Sequence, residues 1–336
     1  MQEPRPHRPG LSIWPAILIG AGVIWLLAQA NVITGAHLSV LFRFWPVILI
    51  AIGLELLLGR RSPALSTLIG VGAVALIVAL VLAGPSLGLV QAQQAQTETI
   101  DIPLDDAESA EIQLDVAVGS LRVTPSTDPD KLLEGEVNYF GRLDIAIGDE
   151  DGRRFVNLHN EFERTSSFFF NLFTDEDEAD WELGLNTGVP VDLIVNTGTG
   201  SSELQLADVM LNSLEVHGGT GSITVALPAL ETPYEVLLDS GTGSINVAIP
   251  DRAAVTLRVN TGTGSTAIDV PDGAAVRVSG SVGTGSINVP RGWTRVSGEE
   301  SRFIGDEGVW QTAGFDTAER QIEIIFHGGT GSLNIR

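Results

Sequence analysis

The sequence has 336 residues, 19 Lys plus Arg against 42 Asp plus Glu, and no cysteine. The length allows two or three domains, and the absence of Cys excludes a disulfide scaffold, a thiolate zinc site and a thiol nucleophile. A net charge of −23 leaves no basic surface of the kind that nucleic acid requires.

The mean hydropathy of +0.23 is high for so acidic a chain, because it averages two unlike parts. Residues 1–95 hold five arginines against Glu3 and Glu55, a net of +3, whereas residues 96–336 hold 14 basic and 40 acidic groups, a net of −26. This division predicts a membrane anchor over 1–95 joined to a water-facing domain over 96–336.

The anchor shows three apolar stretches, about 12–30, 38–58 and 65–90, each near the ~17–25 residues that a helix needs to cross the hydrocarbon. The first two share a motif: Trp14-Pro15-Ala16-Ile17-Leu18-Ile19 is echoed by Trp45-Pro46-Val47-Ile48-Leu49-Ile50. Trp suits the lipid–water interface, and Pro is tolerated in a first helical turn. Arg5 and Arg8 precede the first stretch and Arg60-Arg61 follow the second, while the loop 31–37 carries no charged residue. The positive-inside rule then sets the N-terminus in the cytoplasm and, after three crossings, residues 96–336 outside it. If the second helix starts at Trp45-Pro46, only 14 residues remain before Gly59, and a re-entrant segment there would reverse that side. Arg43 and Glu55 sit near the ends of the second stretch and are expected to snorkel to the headgroups.

A polar tether over 91–99 leads into β-like sequence, with Val118-Gly119-Ser120-Leu121-Arg122-Val123 as a degenerate repeat unit and the repetitive domain starting near Glu98. Residues 128–182 read as irregular. Within them Phe168-Phe169-Phe170-Asn171-Leu172-Phe173 is followed by the acidic run 175–180. Phe168, Phe169, Phe170, Leu172 and Phe173 are candidate partner contacts; the other reading is that they cap the open end of the core. The acidic run is expected to be a solvated loop rather than a calcium site.

Gly-Thr-Gly-Ser then recurs at 198–201, 219–222, 241–244, 262–265, 283–286 and 329–332, at offsets of 21, 22, 21, 21 and 46. Such a period signals stacked repeats. After each motif an apolar–polar–apolar triplet such as Ile223-Thr224-Val225 marks a strand with one buried face. Pro228, Pro250, Pro271 and Pro290 close these strands, and a second strand, such as 234–238, precedes the next motif. The repeating glycines Gly198, Gly200, Gly219, Gly221, Gly241, Gly243, Gly262, Gly264, Gly283, Gly285, Gly329 and Gly331 suit tight corners. The expected fold is an all-β solenoid of 21–22-residue rungs around a narrow Val/Ile/Leu core.

Stacking aligns Thr199, Thr220, Thr242, Thr263, Thr284 and Thr330 in one ladder, and Asn196, His217, Asp239, Asn260, Ser281 and His327 in a neighbouring column. That column reads as turn formers rather than a metal site, since zinc needs three or four converging ligands. The segment 291–320, with Trp293, Phe303, Trp310 and Phe315, is expected over a flank or end.

No catalytic motif emerges. No Lys follows the glycines as a phosphate loop requires, the Asp of the calcium-binding nonapeptide is replaced by Ile223 or Leu333, and there is no nucleophile elbow. The chain is expected not to be an enzyme and to hold no cofactor or metal.

The twin Trp-Pro hairpin resembles the transmembrane region of LiaI- and LiaF-type envelope proteins. The run Val189-Pro190-Val191-Asp192-Leu193-Ile194-Val195 followed by Gly-Thr-Gly-Ser rungs resembles the toast-rack domain of LiaF-like and adhesin-like proteins. The resemblance implies a right-handed, single-stranded β-solenoid and regulation of a sensor kinase in the cell-envelope stress response. The expected partners are membrane lipid, a sensor kinase or another envelope protein, and a second copy of the chain. The alternative is a structural or adhesin-type surface protein that self-associates or binds envelope polymer.

Overall fold

The computed structural model describes residues 95–161, 179–298 and 305–336, with scattered helical positions between 22 and 83. These fall into two units, one formed by residues 1–94 and 163–177, the other by residues 95–162 and 178–336.

In the first unit, described positions in all three apolar stretches are helical: Gly22, Trp25 and Gln29; Leu49, Ile50 and Gly53; and, in the third, residues 71–73, 75–80 and 83. Trp25, Leu49, Ile50, Val71 and Leu76 expose apolar side chains. No helix among the described residues is long and apolar enough to cross a membrane. The span limits, both Trp-Pro pairs, Arg43, Glu55 and Arg60-Arg61 lie outside the described residues.

The second unit is built on two parallel ladders. The first joins, in spatial order, β6 (Arg153–Glu161), β2 (Ser109–Val118), β8 (Val191–Thr199), β10 (Leu211–Thr220), β12 (Tyr234–Thr242), β14 (Val255–Asp269), β18 (Ile322–Ile335) and β15 (Val276–Asn288). The second runs alongside through β7 (Asp180–Leu185), β3 (Ser120–Pro125), β9 (Ser202–Gln205), β11 (Ile223–Ala226) and β13 (Ile245–Ala248), then through the second halves of β14, β18 and β15.

Strict alternation produces this arrangement. Ile223 and Val225 are buried while Thr224 between them is half-exposed. The prolines follow as expected: β11 ends two residues before Pro228 and β13 two before Pro250. One core column runs Ile112, Leu193, Leu214, Val236, Leu257, Ile324, Val278 across seven strands, none more than 1% exposed. Each such side chain contributes roughly 1.5–3 kcal/mol relative to exposure.

Two expectations change. The rungs do not stack in chain order: β18 lies between β14 and β15, with Thr330 opposite both Thr263 and Thr284. Gly331 sits so close to Gly264, and Gly285 to Gly331, that a Cβ on either would overlap the neighbouring carbonyl. Residues 128–182 are also not irregular throughout. They supply β4 (Lys131–Tyr139), β5 (Arg142–Glu150), β6 and β7. Polar and charged residues on their outer faces concealed these strands.

Both ends are covered by antiparallel strands. β1 (Gln96–Pro103), which already includes the end of the expected tether, pairs with β4, and β4 pairs with β7. Ile100, Ile102, Leu132, Leu133 and Val137 are buried there. At the other end β17 (Asp306–Gln311) pairs with β15, and β16 (Thr294–Ser297) with β17. Trp310 and Phe315 are buried, each beneath an arginine: Arg295 at 4.9 Å and Arg277 at 4.2 Å. This places the expected end-covering role of 291–320 on β16, β17 and the short 3-10 helix Phe315–Thr317; Phe303 lies outside the described residues.

Candidate functional site

The polar column beside the glycine corner is the most organised surface of the β unit. The registers place His159 (β6), Asp115 (β2), Asn196 (β8), His217 (β10), Asp239 (β12), Asn260 (β14), His327 (β18) and Ser281 (β15) in one row. Asp144 on β5 extends it at one end, Glu307 on β17 at the other. Read along the stack, His-Asp-Asn occurs twice, and the third histidine follows.

The two triplets have the same geometry. Asn196 Nδ2 donates to Asp115 Oδ1 at 2.6 Å, and His159 Nδ1 meets Asp115 Oδ2 at 2.9 Å. Asn260 Nδ2 donates to Asp239 Oδ1 at 2.7 Å, and His217 Nδ1 meets Asp239 Oδ2 at 3.0 Å. Each carboxylate thus bridges an amide and an imidazole at Nδ1, and the Nε2 of His217 faces the Glu215 carboxylate at 3.7 Å. Strand spacing sets the repeat of the triplets at about 14 Å, three ladder steps.

Burial acts to raise the Asp115 pKa, but hydrogen bonds from Asn196, Gln113 and His159 outweigh it and hold the carboxyl below its ordinary value. The row therefore carries fixed negative charge between fixed donors.

A shallow groove of about 700 Å³ follows this row across β10, β12, β14, β18 and β15. Its rim is His217, Asp239, Asn260, His327 and Ser281, and its floor is glycine backbone, including Gly218, Gly241, Gly262, Gly283, Gly328 and Gly329. Glycine in this floor allows the strands to approach closely: a Cβ at Gly241 or Gly262 would meet the carbonyl of the glycine on the neighbouring strand. Its walls present donors and acceptors at strand spacing, suited to hydrogen-bonding an extended polar ligand or peptide edge.

The sequence-derived column is thus brought together, with His327 and Ser281 exchanged in order. Asp115 and His159 were missed. Asp115 precedes Gly119 by four residues, as Asn196 precedes Gly200, so alignment on the degenerate rung could have found it. His159 has no glycine corner to signal it. Among the described residues no group of His, Cys, Asp and Glu could hold a metal ion. Phe168, Phe169, Phe170, Leu172 and Phe173, and the acidic run from 175 through Glu178, lie outside the described residues; Asp180 opens β7.

Outside the row, Arg154 ties the chain together. Its Nε and Nη2 reach Asp149 at 2.7 and 3.0 Å, and its Nη1 reaches Asp105 and the Pro103 carbonyl at 2.7 and 2.6 Å. These bonds raise the guanidinium pKa, Asp149 first, against burial, and Arg154 in turn lowers that of Asp149.

Residues 91–248 match the family described as the N-terminal domain of toast_rack, DUF2154. Residues 12–57 match the family described as the LiaI-LiaF-like transmembrane region. A crystal structure described as a candidate cell adhesion protein from Clostridium sporogenes is 17% identical, with a TM-score of 0.49, over 72% of this chain and 99% of that one. Another, described as a candidate adhesin from Bacteroides fragilis, is 11% identical, with a TM-score of 0.21, over 73% and 98%. No curated protein matches the chain. The chain therefore carries a LiaI-LiaF-like transmembrane region, which associates it with a membrane, followed by a toast-rack domain that is mostly β.

Proposed function

We propose that this chain, a LiaI-LiaF-like transmembrane region followed by a toast-rack domain, is a non-enzymatic bacterial membrane protein that works by protein–protein contact in cell-envelope stress sensing. The observation that carries the reading is the order of the two modules, 12–57 and then 91–248. The anchor would hold the β domain at the bacterial cytoplasmic membrane, with the N-terminus in the cytoplasm and the domain outside it. Parallel ladders at a one-repeat register support reading the domain as a single-stranded β-solenoid, and its right-handed sense is what the resemblance to toast-rack domains implies.

The surface of the domain supports contact rather than catalysis. Its His–Asp pairs recur along the row, and among the described residues no serine hydroxyl is bonded to a histidine. A polar groove floored by glycine and the run Phe168, Phe169, Phe170, Leu172 and Phe173 are the proposed contact regions for a sensor kinase or another envelope protein.

The test is capture of a sensor kinase from membranes by the full-length protein. Replacing the four phenylalanines by Ser should abolish capture and leave the melting transition of the β domain in place. If no kinase is captured and deleting the protein leaves the response to cell-wall-active antibiotics unchanged, the reading fails. Reporter fusions after residue 95 and after Arg336 check the sidedness; two fusions active in the cytoplasm would reverse it.

A further inference from the structure

The β5–β6 hairpin presents an edge unlike the rest of the stack. Its two-residue turn, Asp151-Gly152, has φ of 48° and 78°, the mirror-image geometry that joins antiparallel strands most tightly. In such a hairpin the closing residues, Glu150 and Arg153, exchange both backbone hydrogen bonds, and alternate residues along β5 repeat this. The N–H and C=O groups of Leu143, Ile145, Ile147 and Asp149 therefore point away from β6. Among the described residues no strand pairs with that edge; β6 is the one partner of β5.

The side chains add to the exposure. Ile145 and Ile147 are 39% and 51% exposed, while Leu158 and Val156 directly opposite on β6 are 0% and 2% exposed. The row continues the apolar face of the stack past its last covered strand. Open edges are usually blunted by charged side chains, proline or a bulge. β5, Arg-Leu-Asp-Ile-Ala-Ile-Gly-Asp-Glu, carries charge toward its two ends but none over residues 145–148, has no proline, and its register with β6 is unbroken.

We propose that β5 is a self-complementary edge that pairs, antiparallel, with β5 of a second copy of this chain about a two-fold axis at Ala146. That pairing sets Ile145 opposite Ile147 of the second copy and Arg142 opposite Glu150, each twice. The isoleucine pairs cover apolar surface on both copies, and the Arg–Glu pairs fix the register. A shift by one step of two residues would set Arg142 against Gly148 or Gly152. Arg142 donates through Nε and Nη2 to Asp144 at 3.1 and 2.6 Å and has Glu161 at 4.0 Å, and its Nη1 keeps donors for a further carboxylate. Two-fold pairing is the closed form of edge addition, so it ends in a dimer and not a fibre.

Because the chain has no cysteine, Ala146→Cys introduces a unique thiol. On the axis it falls in a non-hydrogen-bonded pair, where Cα atoms are about 4.5 Å apart, within the range for a disulfide. In full-length protein in membranes under mild oxidation, Ala146→Cys should form a cross-linked dimer, and Met210→Cys, at another exposed position, should stay monomeric. Arg142→Glu or Glu150→Arg added to Ala146→Cys should lose the cross-link, and the two together should restore it. Cross-linking no greater than for Met210→Cys overturns the proposal, as do single charge variants that still cross-link or a double variant that stays as poor as the singles. The contact is independent of kinase capture, so either can fail without the other.

Discussion

His217 and Asp239, joined through Nδ1 and Oδ2 at 3.0 Å, repeat the join of His159 to Asp115. In each pair the remaining carboxylate oxygen accepts from an asparagine one strand farther along. A β stack with nearly identical rungs has no intrinsic reason to vary along its length. These triplets give it a second, longer period, legible only from the side chains of one row.

Asp115 is the acceptor for three side chains, so Asp115→Ala should destabilise the β domain by about 1–2 kcal/mol in thermal or denaturant unfolding. Its folded pKa lies below the ordinary 3.8. Its contribution is therefore fully present above that value and lost as pH falls through the lower folded one. The gap in melting temperature between the wild type and Asp115→Ala should be constant at neutral pH and close in acid below that point. A gap unchanged down through that range would contradict the hydrogen-bond assignment.

Gly221 has φ of 143°, and an added Cβ would overlap the Gly200 carbonyl on the neighbouring strand. Gly221→Ala should cost about 3 kcal/mol or more, combining backbone strain with a forced opening of the ladder. Gly148, on β5, faces open space with no such φ, and Gly148→Ala should leave stability within about 0.5 kcal/mol. Urea midpoints of the two variants check the contrast.

Strand order can be read by paired cysteines in this cysteine-free chain. Thr263→Cys with Thr330→Cys should cross-link within one molecule, because the two positions are direct neighbours. Thr263→Cys with Thr284→Cys should not, since β18 holds them two ladder steps, about 10 Å, apart. Stacking in chain order predicts the opposite pattern, and mobility on a non-reducing gel distinguishes the two.

Two arginines of one hairpin should differ in value. Arg154 is nearly buried against Asp149 and Asp105, whereas Arg142 is 69% exposed. Arg154→Ala should cost about 1.5–3 kcal/mol and Arg142→Ala at most about 1 kcal/mol. Denaturant unfolding of both variants provides the comparison.

Much of this was legible from local pattern. The triplet Ile223-Thr224-Val225 marks a strand because one face is buried, and Thr220 aligns with Thr242 because the period is kept. Asp115 sits in the row because Val118-Gly119-Ser120 retains the corner. His159 was hidden because no Gly-Thr-Gly-Ser motif directly follows it in the sequence. The place of β18 was hidden for a different reason. Gly-Thr-Gly-Ser fits against any other copy of itself, so the motif sets register within a pair and says nothing about which strands are paired. That choice falls to particulars such as Phe326, which pairs with Gly280 and whose ring lies against Gly328.

The position of β18 has a consequence for how the domain is assembled. Translation delivers β14 and β15 before the strand that separates them, and their matching edges can zip together in the meantime. Completion then requires that early pairing to be avoided or undone, so the last step of folding is an intercalation rather than an addition. Long-range pairing of this kind is slow, and a chain caught before it has two adhesive edges available to a neighbour. Refolding yield should therefore fall with protein concentration even though each rung, taken alone, is among the simplest of folds.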